Sequence, residues 1–168
     1  KKVKLLMGKL SKISGPVIVA EDMLGAQINE VVKDGDEELL GEIIALKYDK
    51  ASIQVYEDTS GLKPGDKIVG TGAPLQVELD PGLLKGVFDG IQRPLDVIMQ
   101  RTGAFIHRGV NIPALDVKAK WEFQALAKKG DTVHPGDVLG TVQETNIVHQ
   151  ILVPPYVKSG KLSSIKSG

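Results

Sequence analysis

The chain has 168 residues, of which 21 are basic and 21 acidic, so its formal charge is zero. This balance argues against a domain that binds nucleic acid by neutralising phosphates, since such domains carry a basic excess on one face. The absence of cysteine excludes disulfide frameworks and thiolate metal sites, and it fits a reducing compartment. No apolar run approaches the roughly 20 residues that cross a bilayer, so we expect a soluble chain that meets a membrane through partners.

The first half of the chain has the pattern of short β-strands. With 19 Gly, 9 Pro and 4% aromatic residues, the composition favours many short strands over long helices. We take residues 1–6 as a leader and Met7 as the native start. Turn signals separate the extended runs 10–14, 17–20, 26–32, 39–48, 51–56, 67–70 and 75–79. Because about six short strands would otherwise leave unpaired edges, residues 7–79 are predicted to close into a small six-stranded β-barrel.

One hairpin of this barrel can be placed from the spacing of its strands. The runs 39–48 and 51–56 are separated by Asp49-Lys50, and a two-residue gap is typical of a tight β-hairpin. In the second run Ile53 and Val55 alternate with polar residues, so one face should point inward and one to water.

Residues 80–110 change character and are predicted to be a connector with short helices. Pro81 and Pro94 each stand where a short helix could begin, because proline lacks an N–H group that the first turn leaves unpaired. The stronger helix prediction covers residues 94–102, with an acidic residue in its first turn, a basic residue in its last and Gly103 after its end. The apolar face of this helix carries Leu95, Ile98 and Met99.

Residues 111–168 repeat the strand-and-turn pattern and are predicted to form a second, β-rich domain of the barrel-sandwich type. The extended runs are 120–124, 129–133, 135–140, 146–153 and 160–165. Trp121 and Phe123 alternate on the first of these runs. Such a pair could stack a ligand, but it more often fills a small core.

Proline and glycine mark the turns of both domains. Pro64-Gly65-Asp66 and Pro135-Gly136-Asp137 share one sequence, in which proline sets the first central φ and glycine supplies the positive φ of a type II turn. The predicted turn-forming residues are Gly15, Pro16, Pro64, Gly65, Pro135 and Gly136. A β-branched residue at Gly136 should therefore destabilise the chain by about 1 kcal/mol or more.

The sequence contains no phosphate-binding loop. Gly8-Lys9 and Gly160-Lys161 are each followed by leucine, and each lacks the earlier glycine whose backbone N–H groups would approach a phosphate. We therefore predict that this chain contains no nucleotide-binding residue.

Metal-binding and acid–base chemistry are also not indicated. His107, His134 and His149 are widely spaced and read as surface or hydrogen-bonded histidines. The pairs Glu37-Glu38 and Glu57-Asp58 stand in turn-like polar stretches, where solvated loop charge is the simpler interpretation. We predict no catalytic residue, no metal ligand and no cofactor in this chain.

Two binding modules remain as alternatives. The stretch 128–142 resembles the first hairpin of biotinyl and lipoyl carrier domains, which present a modified lysine on a following hairpin. No lysine follows here until Lys158, so we expect no attached cofactor. The second alternative is an oligonucleotide-binding barrel, which ranks low without a basic stripe or an aromatic ladder.

Several motifs occur in the order and spacing of one protein family. They are Met7-Gly8-Lys9, Ser14-Gly15-Pro16-Val17, Gly41-Glu42-Ile43-Ile44, Ile53-Gln54-Val55-Tyr56-Glu57-Asp58-Thr59, Val69-Gly70-Thr71-Gly72, Asp89-Gly90-Ile91-Gln92-Arg93-Pro94-Leu95 and Val153-Pro154-Pro155. From Met7 onward the chain resembles the start of the catalytic A subunit of archaeal and vacuolar-type rotary ATPases. Residues 111–168 look like the insertion that these subunits carry, called the non-homologous or bulge region.

The resemblance implies a scaffold whose chemistry lies in other domains of the protein. The barrel would join the barrels of the neighbouring A and B subunits, and the bulge region would touch the peripheral stalk. ATP and Mg²⁺ would bind to later domains, and ATP hydrolysis or synthesis there would be coupled to movement of protons or sodium ions. The complex would be cytoplasmic and peripheral to the membrane.

The resemblance also indicates a connector between the barrel and the nucleotide-binding domain, formed by Asp89, Gln92 and Arg93. Arg93 is the residue that we expect to bridge the two, because its planar guanidinium serves several acceptors at once. The alternative is a surface arginine beside a helix start.

Overall fold

We analysed a computed structural model of the chain, which describes residues 6–168. The leader predicted for residues 1–6 lies outside the described residues except for Leu6. Leu6 packs against the barrel core, and its carbonyl accepts a hydrogen bond of 2.9 Å from the N–H of Gly70. Leu6 therefore packs as part of the barrel unit.

Six antiparallel strands close into the predicted barrel. The strands are β1 (Met7–Ser14), β2 (Val17–Glu21), β3 (Glu30–Asp34), β4 (Leu39–Lys47), β5 (Lys50–Val55) and β6 (Lys67–Pro74). Their order around the barrel is β1-β2-β5-β4-β3-β6, and β6 pairs with β1 to complete the ring. The prediction of a closed six-stranded barrel is confirmed.

The barrel core consists of the inward-facing residues of alternating strand positions. Its fully buried members are Leu10, Ile18, Ala20, Met23, Val32, Leu39, Ile43, Ala51, Ile53, Val55 and Ile68. These side chains are aliphatic apart from one methionine, which agrees with the low aromatic content and the small radius of the barrel.

The strand boundaries differ from the prediction at three places. The run 26–32 begins late, because the N–H of Ala26 bonds back to the carbonyl of Met23 and residues 26–29 form turns before β3. The run 75–79 is not a strand, since β6 ends at Pro74. The hairpin of β4 and β5 is present, but Lys47 pairs with Lys50, so its tip is Tyr48-Asp49.

Residues Leu95–Thr102 form the predicted helix α1. Buried Pro94 precedes it in an extended conformation, and the N–H of Gly103 closes its last turn on Met99. Ile98 is buried, whereas Met99 is 63% exposed, so the apolar face is narrower than predicted. Among residues 6–168 no helix is long and apolar enough to cross a membrane.

The predicted helix start at Pro81 is wrong. Residues 81–85 form turns, with Gly82 at a φ of +116° that no helix accommodates. The N–H groups of Gly82 and Leu84 donate hydrogen bonds to the carboxylate of Glu144 and not to backbone carbonyls of a helix.

The second half of the chain contains five short strands in two sheets. They are β7 (Phe123–Ala125), β8 (Thr132–Val133), β9 (Val138–Glu144), β10 (Ile147–Leu152) and β11 (Gly160–Lys161). The sheets have the order β10-β9-β7 and β11-β8. Phe123 is half-buried against Gly140, whereas Trp121 precedes β7 and remains 37% exposed, so it does not fill a core as predicted.

The chain divides into two compact units. Among the described residues, the first unit comprises residues 6–77 and 89–112, and the second comprises residues 78–88 and 113–168. The predicted connector, residues 80–110, is thus shared between the units: its first part belongs to the second unit, and its remainder, with α1, belongs to the barrel unit.

Candidate functional site

Arg93 lies at the centre of an ion-pair cluster in the barrel unit. Its Nε donates a hydrogen bond of 2.7 Å to Asp89 Oδ2, and its Nη1 donates to the carboxylate of Glu57. The Nη1 atom also reaches the carbonyl of Val110 at 3.2 Å. We call Arg93, Asp89 and Glu57 the Arg93 cluster.

The backbone around the Arg93 cluster positions both carboxylates. Asp89 Oδ1 accepts the N–H groups of Ile91 at 3.1 Å and Arg93 at 2.8 Å, which closes residues 89–93 into a tight loop. Within that loop Gln92 has a φ of +62°. Glu57, which follows β5, also accepts the N–H of Gly109 at 3.0 Å.

The Arg93 cluster is largely shielded from water. The side chains of Arg93, Glu57 and Asp89 are 13%, 10% and 17% exposed. Burial raises the pKa of Asp89, but hydrogen bonds from Arg93 and Ile91 and the guanidinium charge outweigh it and lower that pKa below its usual value. Burial lowers the pKa of Arg93, but its two carboxylate partners outweigh that effect and raise it, so the guanidinium is charged at neutral pH.

The Arg93 cluster ties three segments of one unit together: the end of β5, the loop 89–93 and the segment after α1. Its residues include two of the three connector residues predicted from the sequence, Asp89 and Arg93. The interpretation of Glu57 as solvated loop charge is wrong, because its side chain is 10% exposed and pairs with Arg93. Arg93 lies 36 positions further along the chain, so no local sequence pattern indicates this pair.

Arg108 and Glu37 form a second ion pair in the barrel unit. Arg108 contacts Glu37 through Nη2 and Nε, both at 2.9 Å, so the pair is bidentate. Gly61 stands beneath it with a φ of +93°, and a Cβ there would lie 2.8 Å from Arg108 Nη2. Glu37 and its neighbour Glu38, which pairs with Lys33 at 2.6 Å, are both in ion pairs, and both side chains remain about half exposed to solvent, as predicted.

The Pro-Gly-Asp turns have the predicted backbone. Gly65 and Gly136 have φ values of +98° and +87°, and in each turn the aspartate Oδ2 accepts the N–H three residues earlier at 2.7 Å. Residues 128–131 form a third turn of the same kind without a proline, with Asp131 accepting at 2.8 Å. All three turns have a glycine with positive φ as their third residue, and the side chain of the aspartate in the fourth position accepts the N–H of the first residue.

Gly15 and Pro16 form the tip of the β1–β2 hairpin, between the paired residues Ser14 and Val17. Gly15 has a φ of +59°, which suits the first central position of a tight hairpin turn. Thr59 donates a hydrogen bond of 2.8 Å to the Gly15 carbonyl.

Two carboxylates of β3 point into the barrel, and the sequence patterns did not identify them. Glu30 accepts the N–H groups of Gln27 and Gly72 at 3.0 and 2.9 Å. Asp34 is fully buried, and neither of its side-chain oxygens has a hydrogen-bond partner. The signal was present: in the run Glu30 to Asp34 both acids share the period of two with buried Val32.

The described residues contain no group of three or more His, Cys, Asp or Glu side chains that could hold a metal ion. His134 and His149 instead lie 3.4 and 3.5 Å from single carboxylates, those of Asp137 and Glu144. The hairpin of β9 and β10 has Thr145-Asn146 at its tip, where a carrier domain would need its lysine.

Comparison with known proteins identifies both units. A family model described as "ATP synthase alpha/beta family, beta-barrel domain" matches residues 10–72, and one described as "ATPsynthase alpha/beta subunit barrel-sandwich domain" matches residues 112–168. This chain belongs to the ATP synthase alpha/beta family. The matched ranges fall on the closed barrel and on the second unit, so the fold prediction for each half is confirmed.

Individual relatives narrow the resemblance to A-type and V-type enzymes. The chain is 54% identical over 166 residues to the first A subunit of the A-type ATP synthase of Methanospirillum hungatei, covering 99% of this chain and 28% of that relative. It is 57% identical to the A subunit of the A-type ATP synthase of Methanococcus maripaludis, covering 98% of this chain and 28% of the relative. The V-type ATP synthase alpha chain of a Thermoanaerobacter species is 54% identical, covering 96% and 27%.

The resemblance found in the sequence motifs is therefore confirmed. The chain corresponds to the N-terminal region of the A subunits of A-type and V-type enzymes, and it spans 28% of the length of the first of these relatives.

Proposed function

We propose that this chain is the N-terminal scaffold of the catalytic A subunit of an archaeal or vacuolar-type rotary ATPase. In this proposal the barrel holds neighbouring A and B subunits together in the head of the enzyme. The second unit provides a contact for the peripheral stalk. ATP and Mg²⁺ bind to other domains of the full-length protein, and the assembled complex is cytoplasmic and peripheral to the membrane.

The observation that carries the proposal is a group of exposed apolar residues at the end of β4 and at the hairpin tip that follows it. The first half of β4 alternates between buried and half-buried residues, whereas its last four residues are all exposed. Ile44, Leu46 and Tyr48 are 46%, 37% and 89% exposed, and we call these three residues the β4 patch. Exposed apolar and aromatic side chains are typical of protein–protein contacts.

The closed barrel limits how a neighbour could bind. Each of the six strands is paired on both sides, so no strand edge is available for β-augmentation. A partner must therefore bind through side chains, and the β4 patch supports such a contact between barrels.

The Arg93 cluster supports a mechanical role for the connector. We propose that Asp89, Gln92 and Arg93 join the barrel to the nucleotide-binding domain of the full-length protein. Arg93 contacts both Asp89 and Glu57, which lies two residues after β5, so the loop 89–93 is fixed to the barrel. The connector therefore suits a scaffold that stays in place while other domains move.

The assembly role is tested in the full-length A subunit with the double substitution Ile44→Ser and Leu46→Ser. We expect its association with the B subunit to weaken at least about tenfold in sedimentation velocity, because two apolar contacts are lost from the interface. Val117→Ser is the matched control, since Val117 is 88% exposed but belongs to the second unit.

The absence of chemistry from this chain is tested separately. We expect no heat of binding when Mg·ATP is titrated into the 168-residue chain, and unchanged ATP affinity of the full-length protein carrying the double substitution. An unaltered association with the B subunit, or ATP binding by the chain itself, would contradict the proposed scaffold.

A further inference from the structure

The sheet β10-β9-β7 of the second unit has one occupied edge and one open edge. On its β7 side, Phe123 exchanges two backbone hydrogen bonds with Gly168, at 3.1 and 3.0 Å, so residues near the end of the chain cover that edge. On the other side, no strand of residues 6–168 lies next to β10. One side of the β10 backbone is therefore available to a partner.

The backbone groups of β10 alternate between β9 and the open edge. The N–H and the carbonyl of Val153 both bond towards the β9 side, to residues 136 and 137 at 2.9 Å. Because neighbouring residues of a strand direct these groups to opposite sides, those of Val148, Gln150 and Leu152 point to the open edge. The register shift beside Leu152 adds one residue to β9 and leaves β10 regular. Within the described chain, none of these three residues forms a backbone hydrogen bond to a segment other than β9.

The side chains of these three residues share one exposed face of the strand. Val148 and Leu152 are 57% and 47% exposed, and Gln150 between them is also exposed. His149 and Ile151, on the opposite face, are partly buried. We call Val148, Gln150 and Leu152 the β10 edge.

The β10 edge lacks the features that usually protect an open strand from pairing. The sequence of β10 contains no proline, no lysine or arginine and no acidic residue. Natural edge strands commonly carry such residues, because an unprotected row of N–H and carbonyl groups pairs readily with another strand. The β10 edge is therefore suited to strand addition.

The β10 edge is complementary to itself. In an antiparallel pair of two copies centred on Gln150, each Val148 would lie opposite Leu152 of the second copy, and the two Gln150 side chains would face each other. Apolar side chains would then meet apolar ones, amide would meet amide, and about six backbone hydrogen bonds would join the copies. No like charges would oppose each other. A two-fold interface requires such a self-complementary surface.

We propose that the β10 edge pairs with the β10 edge of a second copy of this chain, so that two three-stranded sheets form one six-stranded sheet about a two-fold axis. A contact made by one strand of each copy is smaller than the roughly 1,200 Å² at which standard interfaces begin, so the dimer is weak and half formed at about 100 µM. This inference concerns the second unit and does not depend on the proposed role of the barrel.

The first test measures association of the 168-residue chain between about 10 µM and 1 mM by sedimentation equilibrium. Amide hydrogen exchange is measured over the same range. With rising concentration we expect exchange to slow at Val148, Gln150 and Leu152, whose N–H groups face the open edge, and to stay unchanged at His149 and Ile151, whose N–H groups face β9. A monomer at 1 mM, or association without this alternating pattern, would overturn the proposal.

The second test exchanges charges at the centre of the pair. Gln150→Glu and Gln150→Lys each place two like charges opposite each other, and each alone should dimerise about fivefold more weakly than the unaltered chain. An equimolar mixture of the two should recover the unaltered affinity, because opposite charges then meet. Gln124→Glu and Gln124→Lys are the matched controls, since Gln124 is an exposed residue of β7, and they should leave dimerisation unchanged.

Gln150→Pro tests the backbone pairing. It removes an N–H that faces the open edge, where proline is tolerated, so the denaturation midpoint should change little while dimerisation weakens at least about tenfold. If this variant does not fold, the charge exchange still decides, because it leaves the backbone intact. Full dimerisation of Gln150→Pro in a folded state, or a mixture of the charged variants that associates no better than each alone, would contradict a pair centred on Gln150.

Discussion

Replacing Asp34 with asparagine should stabilise the barrel in alkaline solution and have little effect in acid. Asp34 is fully buried among aliphatic side chains, and its two oxygens have no hydrogen-bond partner. Its Oδ2 faces Gly41, where an added Cβ would lie 2.9 Å away. Burial raises the pKa of this carboxyl group from 3.8 to about 7.

The size of the effect follows from this pKa. In the unfolded chain Asp34 loses its proton near its ordinary value, whereas in the barrel it keeps the proton until about pH 7. The folded state therefore binds more protons between these values, and its stability falls as the pH rises through that window. At about 1.4 kcal/mol for each tenfold change, the full penalty is about 4 kcal/mol, of which about 2.5 kcal/mol develops between about pH 5 and pH 8.

The assay compares the wild-type chain with Asp34→Asn by urea denaturation at about pH 5 and about pH 8. Amide hydrogen exchange at barrel residues such as Ile53 restricts the readout to the barrel unit. The difference in the free energy of unfolding between variant and wild type removes the contribution of all other titrating groups. This difference should shift by about 2.5 kcal/mol in favour of the variant from the lower to the higher pH. Asp36→Asn is the control, because Asp36 lies two positions away and is not fully buried. A difference that is the same at both pH values would refute the assignment of a protonated, buried Asp34.

Three further substitutions test the Arg93 cluster, the turns and the second sheet. Arg93→Met should lower barrel stability by on the order of 3 kcal/mol in urea denaturation, because it leaves two shielded carboxylates without their cation; a loss below about 0.5 kcal/mol would mean that the cluster is a surface feature. Gly136→Val should lower the stability of the second unit, followed by Trp121 fluorescence, by about 1 kcal/mol or more, since its φ of +87° strains a β-branched residue; an unchanged denaturation midpoint would disprove the turn assignment. Gly140→Ala should lower the stability of the second unit by about 1–3 kcal/mol by the same fluorescence readout, because the new methyl group would overlap the Phe123 ring. Gly160→Ala is the control and should be neutral, because its methyl group would meet nothing closer than 4.0 Å. Equal effects of the two substitutions would refute the close packing of β7 on β9.

The barrel was predictable because its signals are local. Alternating apolar residues such as Ile53 and Val55 and the turn residues Gly15-Pro16 and Pro64-Gly65 specify strands and hairpins within a few positions. The family motifs allowed the family of both units to be predicted, and the barrel-sandwich family model matches the second unit from residue 112 onward.

The ion pairs and buried acids were not predictable in the same way. Glu57 pairs with Arg93, which lies 36 positions away in the sequence, and Glu144 contacts Gly82, which lies 62 positions away. Local sequence patterns therefore do not indicate these contacts. Asp34 did carry a local signal, its place in the alternation with Val32, but the strand was expected too early in the chain for that signal to be recognised.

Competition by the 168-residue chain for head assembly tests the scaffold role most directly. Full-length A and B subunits are mixed with an excess of the chain, and the fraction of assembled head is measured by sedimentation velocity. The account predicts that the chain binds the B subunit through the β4 patch and suppresses assembly, and that the chain with Ile44→Ser and Leu46→Ser does not. Undiminished assembly in the presence of the unaltered chain would contradict it.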